Sequence, residues 1–210
     1  RESIAVGLVA MTPIAIATED SLSEAIALRL IADIPTPHFI QIKLGRTGNG
    51  YLMSKMSSWY QMAQHQVMVV LTDLDRAKCL VEFRDQWLNA EPPKNLLFRI
   101  AVREVESWVL ADHAAMRALI GAKGVLPAAP DELADPKQSL LKLARSAPKP
   151  IREDLLKSID GNLAQGLGYN ARLSAWVNSE WSPQRAAERS PSLARARLRL
   201  NEVVGAFALR

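Results

Sequence analysis

The stretch Val67-Met68-Val69-Val70-Leu71-Thr72-Asp73-Leu74-Asp75 is an uninterrupted aliphatic run that ends in two acids. Its β-branched and aliphatic residues read as a strand buried on both faces, the kind found inside parallel sheets. Successive strand side chains alternate, so residues i and i+2 share a side. Asp73 and Asp75 are therefore expected to point together at the C-terminal tip, where open α/β sheets keep their ligand crevices. Two unpaired carboxylates so close repel each other and raise one pKa. A divalent cation with oxygen ligands removes that repulsion, so the pair reads as half of a Mg²⁺ site.

On the N-terminal side of this run, Pro13–Ala17 is a short apolar strand, and Thr18-Glu19-Asp20-Ser21 leads into Leu22–Ala32, where apolar residues recur at helical spacing. Ser21, with Glu24 three residues later, has the form of a capping box. Pro35 and Pro37 close the unit, His38–Leu44 alternates as a strand, Gly45–Gly50 is a turn, and Tyr51–Gln64 is a helix. Gly45-x-x-Gly48-x-Gly50 lacks the Lys-Ser/Thr of a nucleotide-hydrolase phosphate loop. Beyond Asp75, Ala77–Leu88 reads as a helix, Pro92-Pro93 as a break, Asn95–Val102 as a fourth strand, and Arg103–Ile120 as one long helix. Strands alternating with helices imply βαβ units, so the predicted fold class is α/β, a Rossmannoid parallel sheet flanked by helices. Right-handed crossovers bring the strand tips to one edge.

After Gly121 the character changes. Gly, Ala and Pro dominate as far as Pro136, and helical stretches come after it over Lys137–Ser146, Ile151–Ile159, Leu173–Val177 and Pro191–Phe207. The reading is an α/β core over residues 11–121 and a C-terminal helical cap over residues 122–210, packed on the core rather than standing alone.

Hydrophobic content of 49% with 23% charged residues is that of an ordinary soluble globular protein. The single cysteine, Cys79, rules out an internal disulfide framework and fits a reducing cytoplasm. Without a cysteine cluster, and with three scattered histidines, a structural zinc site is not expected. The formal net charge of +4 is compatible with a polyanionic partner. No segment is long enough to span a membrane. The apolar stretch from Ile4 to Ala17 resembles a secretory leader, but Pro13 interrupts it and Glu19 and Asp20 come directly after it. A first strand uses the same residues better, and Met11 is a candidate start that would make residues 1–10 an upstream extension.

Other acids fall near the same predicted edge. Glu19 lies just past the first strand, and Glu104 and Glu106 lie just past the fourth. If the first and third strands are neighbours where strand order reverses, these carboxylates converge. Acids at strand ends more often cap helices or stay solvated, and each of these alone would be read that way. Their coincidence on one edge suits hard cations bridging phosphate oxygens.

The order strand–Glu19–helix, strand, helix, strand–Asp73-x-Asp75, helix, strand resembles a TOPRIM domain, the metal-binding fold of topoisomerases, primases and certain nucleases. Arg103-Glu104-Val105-Glu106-Ser107-Trp108-Val109-Leu110-Ala111-Asp112, Asp135-Pro136-Lys137 with Leu140, and Ser190-Pro191-Ser192-Leu193 resemble a TOPRIM-like family of bacterial proteins, domain-of-unknown-function 4276. The resemblance runs from about Pro13 to about Leu200. Members are often encoded beside an ABC-type ATPase, in arrangements reminiscent of phage defence. The family's Glu-Gly-x-x-Glu appears here as Glu19-Asp20-Ser21-Leu22-Ser23-Glu24, with Asp20 in place of the glycine.

The resemblance implies a Mg²⁺- or Mn²⁺-dependent phosphodiester nuclease acting on DNA or RNA, with an ABC-type ATPase as a partner. Glu19 takes the catalytic place, Asp73 and Asp75 are metal ligands, and Glu106 is the extra acid. Asp112 also matches, but six residues along a helix is about 9 Å, which favours a structural role. Lys137, at a helix start where a cation gains nothing from the dipole, is read as facing an anion, a nucleic-acid phosphate being one candidate. Arg185 with Arg189, and Arg195 with Arg199, are spaced to share a helix face that either tracks phosphates or is simply solvated. Trp108 is read as core rather than as a base-stacking platform. Two other readings stay open: a non-enzymatic binding or effector subunit of an ATPase complex, and a phosphoryl-transfer enzyme acting on nucleotides.

Overall fold

The computed structural model of the protein describes residues 11–88 and 90–210. The upstream-extension reading of residues 1–10, and the part of the leader reading that falls on residues 4–10, lie outside the described residues. Four parallel strands form the central sheet: β1 (Thr12–Thr18), β2 (His38–Gly45), β3 (Val67–Asp73) and β4 (Leu96–Ala101), in the order β2-β1-β3-β4. Strand order reverses between β1 and β3, which pair from Ile14 with Val67 to Thr18 with Leu71. All seven residues of β3 are buried, as a central strand covered on both faces requires.

Alternation along the strands feeds two cores. Ile14, Ile16, Val67, Val69, Leu71 and Leu97 face one side. Ala15, Ala17, Met68, Val70 and Leu96 face the other, packing on Leu52, Met56, Trp59 and Trp87. The second side is covered by α2 (Asn49–Ser54), α3 (Met56–Met62) and α4 (Leu80–Trp87). The first is covered by α1 (Ser21–Ala32) and by most of the chain beyond β4: α5 (Glu106–Ala111), α6 (His113–Ile120), α7 (Pro136–Ala144), α8 (Lys149–Leu155), α9 (Tyr169–Ser179), α10 (Pro183–Ala187) and α11 (Pro191–Ala208). One hydrophobic cluster runs from Ile14 to Val204, so the C-terminal helices share the core of the sheet. No helix among the described residues is long and apolar enough to cross a membrane.

The departures from the sequence reading have local causes. Asp20, not Ser21, caps α1: its extended backbone (φ −145°) lets its carboxylate accept from the Ser23 N–H at 2.8 Å. A glycine is therefore not required at that turn. The helix read over Tyr51–Gln64 is two helices that meet at Lys55, whose N–H is held by Leu52 O at 3.2 Å in a tightened turn. The long helix read from Arg103 starts only at Glu106, because Arg103 sits at φ +63°. It also breaks at Asp112, whose carboxylate caps α6 through the Ala115 N–H. Residues 156–159 are not helical. They form β5 (Leu156–Ile159), paired antiparallel with β6 (Asn162–Gln165). Asp160 (φ +50°) and Gly161 (φ +78°) make the turn between them, an Asp-Gly hairpin signal that the apolar spacing concealed.

The Gly45–Gly50 turn fixes the tip of β1. Gly45 adopts φ +94°, and a Cβ there would lie 2.3 Å from the Thr18 carbonyl oxygen. Arg46 N–H donates to Thr18 O at 2.7 Å and Gly48 N–H to Glu19 O at 3.0 Å, so this contact sets the backbone from which Glu19 projects. Gly45→Ala combines a backbone clash with an unfavourable φ and is expected to cost at least about 2 kcal/mol. Urea unfolding of the variant checks this as a lower midpoint at unchanged slope.

Candidate metal centre

Because β1 and β3 are neighbours, their tips bring Glu19 and Asp73 together. The Asp73 backbone N–H donates to Glu19 Oε1 at 2.8 Å, and the Thr72 hydroxyl donates to the same oxygen. Asp73 in turn accepts from the Val105 N–H at 3.0 Å through Oδ1, tying the tip of β3 to the start of α5. Glu106, the first residue of α5, is 2% exposed. Its Oε1 accepts from the Tyr169 hydroxyl at 2.9 Å, and its Oε2 is buried without a hydrogen-bond partner.

Asp75 does not share the strand with Asp73. The strand ends at Asp73, and Asp75 lies in an exposed turn at φ +50°. Its N–H donates to Arg103 O at 2.7 Å, and its carbonyl accepts from Arg103 Nη1 at 3.3 Å. The i, i+2 argument fails there because the chain has left the pleat two residues too early. Asp75 and Glu104, with Arg76, Arg103 and Asp135, line an open polar crevice of about 470 Å³. Asp73 and Glu106 are buried and are not part of that lining.

Lys137 faces carboxylates of its own chain. Its Nζ lies 3.3 Å from Glu104 Oε1 and 3.6 Å from Glu106 Oε1, and its backbone N–H donates to Glu104 Oε2 at 3.0 Å. The anion expected opposite this lysine is thus an internal acid pair. Asp112 is fully buried and plays the structural role expected of it, accepting from Arg185 Nε at 2.9 Å and Nη2 at 2.7 Å and from the Ser182 N–H at 2.8 Å. Arg185 is thereby removed from any phosphate-tracking face, while Arg189 pairs with Glu188 and Arg199 with Glu202. Trp108 is core, its Nε1–H donating to Ser192 Oγ at 2.7 Å.

Packing acids together out of water sets the electrostatics. Burial pushes the Asp73 carboxyl well above the usual carboxylate range, and the charges of Glu106, Glu19, Asp75 and Asp20 push the same way. Burial also raises Glu19, against the opposing bonds from Thr72 and Asp73. Glu106 is raised to about 7, because burial outweighs the Lys137 cation and the Tyr169 hydrogen bond. Burial works against the Lys137 ammonium, but Glu106, Glu104 and more weakly Asp73 raise its pKa above the ordinary lysine value.

The folded state holds the Glu106 proton more tightly than the unfolded chain does. Its stabilising contribution is therefore complete below about pH 4.5 and is lost as pH rises through about 7. Glu19 and Asp73 act with the same sign. In chelator, the thermal midpoint of the wild type is expected to fall between pH 5 and pH 8. Glu106→Gln, which keeps an acceptor for Tyr169, is expected to fall less. Equal falls in both proteins would remove Glu106 as a source of the pH dependence.

The donors have the chemistry of a hard-cation site: carboxylate oxygens, mutual repulsion, and one buried Glu106 oxygen with no partner. Among the described residues, however, no three His, Cys, Asp or Glu side chains form a group that could hold a metal ion. Sequence reasoning missed two participants. Thr72 sits beside Asp73 and could have been suspected from the strand tip alone, whereas Tyr169 lies 63 residues from Glu106 and left no local signal. No family profile, characterised protein or solved structure matched this chain in comparison.

Proposed function

We propose that this chain is a Mg²⁺- or Mn²⁺-dependent phosphodiester nuclease of TOPRIM-like type. The observation that carries the reading is the link between strand tips: Glu19 accepts directly from the Asp73 N–H, across the point where strand order reverses. Asp73 and Glu106 are the donors for a divalent ion, with Asp75 recruited from its exposed turn. Such an ion, when bound, neutralises charge on the scissile phosphate and orients the attacking water.

The remaining work belongs to the chain itself. Glu19 is held by Thr72 and Asp73 through one oxygen, which leaves the other to take a proton from water. Tyr169 fixes the orientation of Glu106. Lys137 balances the charge of Glu104 and Glu106. Arg76 and Arg103, in the crevice wall, hold backbone phosphates by charge. The lone Cys79 suits a cytoplasmic protein, and an ABC-type ATPase is the partner we assign from the family resemblance. The test is cleavage of labelled DNA and RNA with Mn²⁺, comparing wild type with Asp73→Asn.

A second reading draws on the absence of a three-carboxylate ligand group among the described residues and on the lysine already seated between Glu104 and Glu106. On that reading the acid cluster is neutralised internally, and the chain is a binding or effector subunit. It then copurifies with an ATPase and shows no cleavage with either cation.

A further inference from the structure

Away from the acid centre, β4, the edge strand of the sheet among the described residues, forms the floor of a second cleft. The cleft holds about 320 Å³ and lies between α4 and α11. Leu80 and Arg84 come from α4, Phe98 and Arg99 from β4, and Ser192 and Arg195 from α11. Three arginines thus line one cleft that also has an apolar wall. Arg84 is engaged by the neighbouring Asp85 at 2.6 Å, whereas no ion pair to Arg99 or Arg195 is found among the described residues. Arg99 is the unusual member. It lies on the inward face of the sheet with its stem beside Leu97, Ala196 and Leu200, and its Nε is buried with no hydrogen-bond partner. Glu202 contributes some negative charge nearby, but it is bonded to Arg199 at 3.0 Å.

The buried Nε is closed to the cleft, so the Arg99 Nη groups, for which no acceptor is found among the described residues, are the donors left to meet an anion there. Arginine donors form a planar fork suited to the oxygens of phosphate or carboxylate. Two arginines without an ion pair among the described residues and a third shared arginine suit a dianion with several oxygens better than a single carboxylate. The volume is near the lower end of the small-ligand range of about 300–1,000 Å³, which limits the ligand to a compact body. We propose that the cleft between α4, the edge of β4 and α11 binds a small phosphate monoester, its phosphate on Arg99 and Arg195 and its apolar body against Leu80 and Phe98.

Calorimetric titration of the full chain, in chelator so that the acid centre takes no metal-bridged phosphate, tests this with phenyl phosphate, inorganic phosphate and benzoate. Phenyl phosphate is expected to bind saturably at one site and more tightly than the other two. Arg99→Met, which keeps the stem and removes the unsatisfied nitrogen, is expected to weaken it roughly ten- to hundredfold while leaving the thermal midpoint unchanged or higher. Arg195→Met, at an exposed position, is expected to weaken it without any change in folding. No saturable binding, benzoate binding as tight as phenyl phosphate, unchanged affinity in Arg99→Met, or a midpoint lowered by that substitution would each overturn the proposal.

Discussion

Asp73→Asn is expected to lower Mn²⁺-dependent cleavage by on the order of a thousandfold while leaving the fold intact. The side chains have nearly the same shape, and an asparagine Oδ1 still accepts from the Val105 N–H. The Asp73 backbone N–H that holds Glu19 is untouched. What changes is charge. Several kcal/mol of charge stabilisation at the reacting phosphate corresponds to about three powers of ten in rate. The same substitution removes a buried carboxylate that Glu106, Glu19 and Asp75 all repel, so the metal-free thermal midpoint is expected to hold or rise. Opposite movement of activity and stability separates a catalytic acid from a structural one. Glu19→Gln is the companion: its Oε1 keeps both donors, and loss of the proton acceptor lowers the rate by about 10²–10⁴-fold. If both variants cleave at the wild-type rate, the acid centre does not carry the cleavage and the nuclease reading of it fails; no cleavage by the wild type with either cation favours the binding-subunit reading.

The parallel sheet was legible because its signals are local. A fully buried strand is an unbroken aliphatic run, and Val67–Asp73 is one. The adjacency of β1 and β3 enters the sequence reading only as a condition, and the strand order that meets it brings Glu19 to Asp73. Asp75 was misplaced because periodicity says which side a strand residue faces and not where the strand stops. The left-handed turn at Asp75 is held by Arg103, itself at positive φ, across a contact of 28 residues in sequence. The role of Lys137 was half legible: helix-end electrostatics pointed to an anion, but only the packing of α7 beside α5 names Glu104 and Glu106 as that anion. The hairpin over residues 156–165 carried an Asp-Gly turn signal that the reading of residues 151–159 as one helix overrode.

Asp112→Ala should be the most destabilising of the substitutions considered, because one carboxylate serves four donors on two helices. It caps α6 through Ala115, anchors the entry to α10 through Ser182, and takes both Nε and Nη2 of Arg185. Burial alone would raise its pKa, but the Arg185 and backbone hydrogen bonds outweigh burial and hold it below the usual carboxylate range. Breaking a buried ion pair by removing one partner costs about 3–5 kcal/mol. Here the lower figure applies, since Arg185 is 45% exposed and turns to water when freed. A loss of about 3 kcal/mol corresponds to a thermal midpoint lower by about 6–12 °C for a chain of this size. Asp112→Asn keeps an acceptor for the Ala115 N–H and is expected to recover part of that loss. The Arg185→Ala variant should cost less than Asp112→Ala, because the caps at Ala115 and Ser182 survive it. Equal losses for Arg185→Ala and Asp112→Ala would mean that the ion pair, rather than the two backbone caps, holds α5, α6 and α10 together.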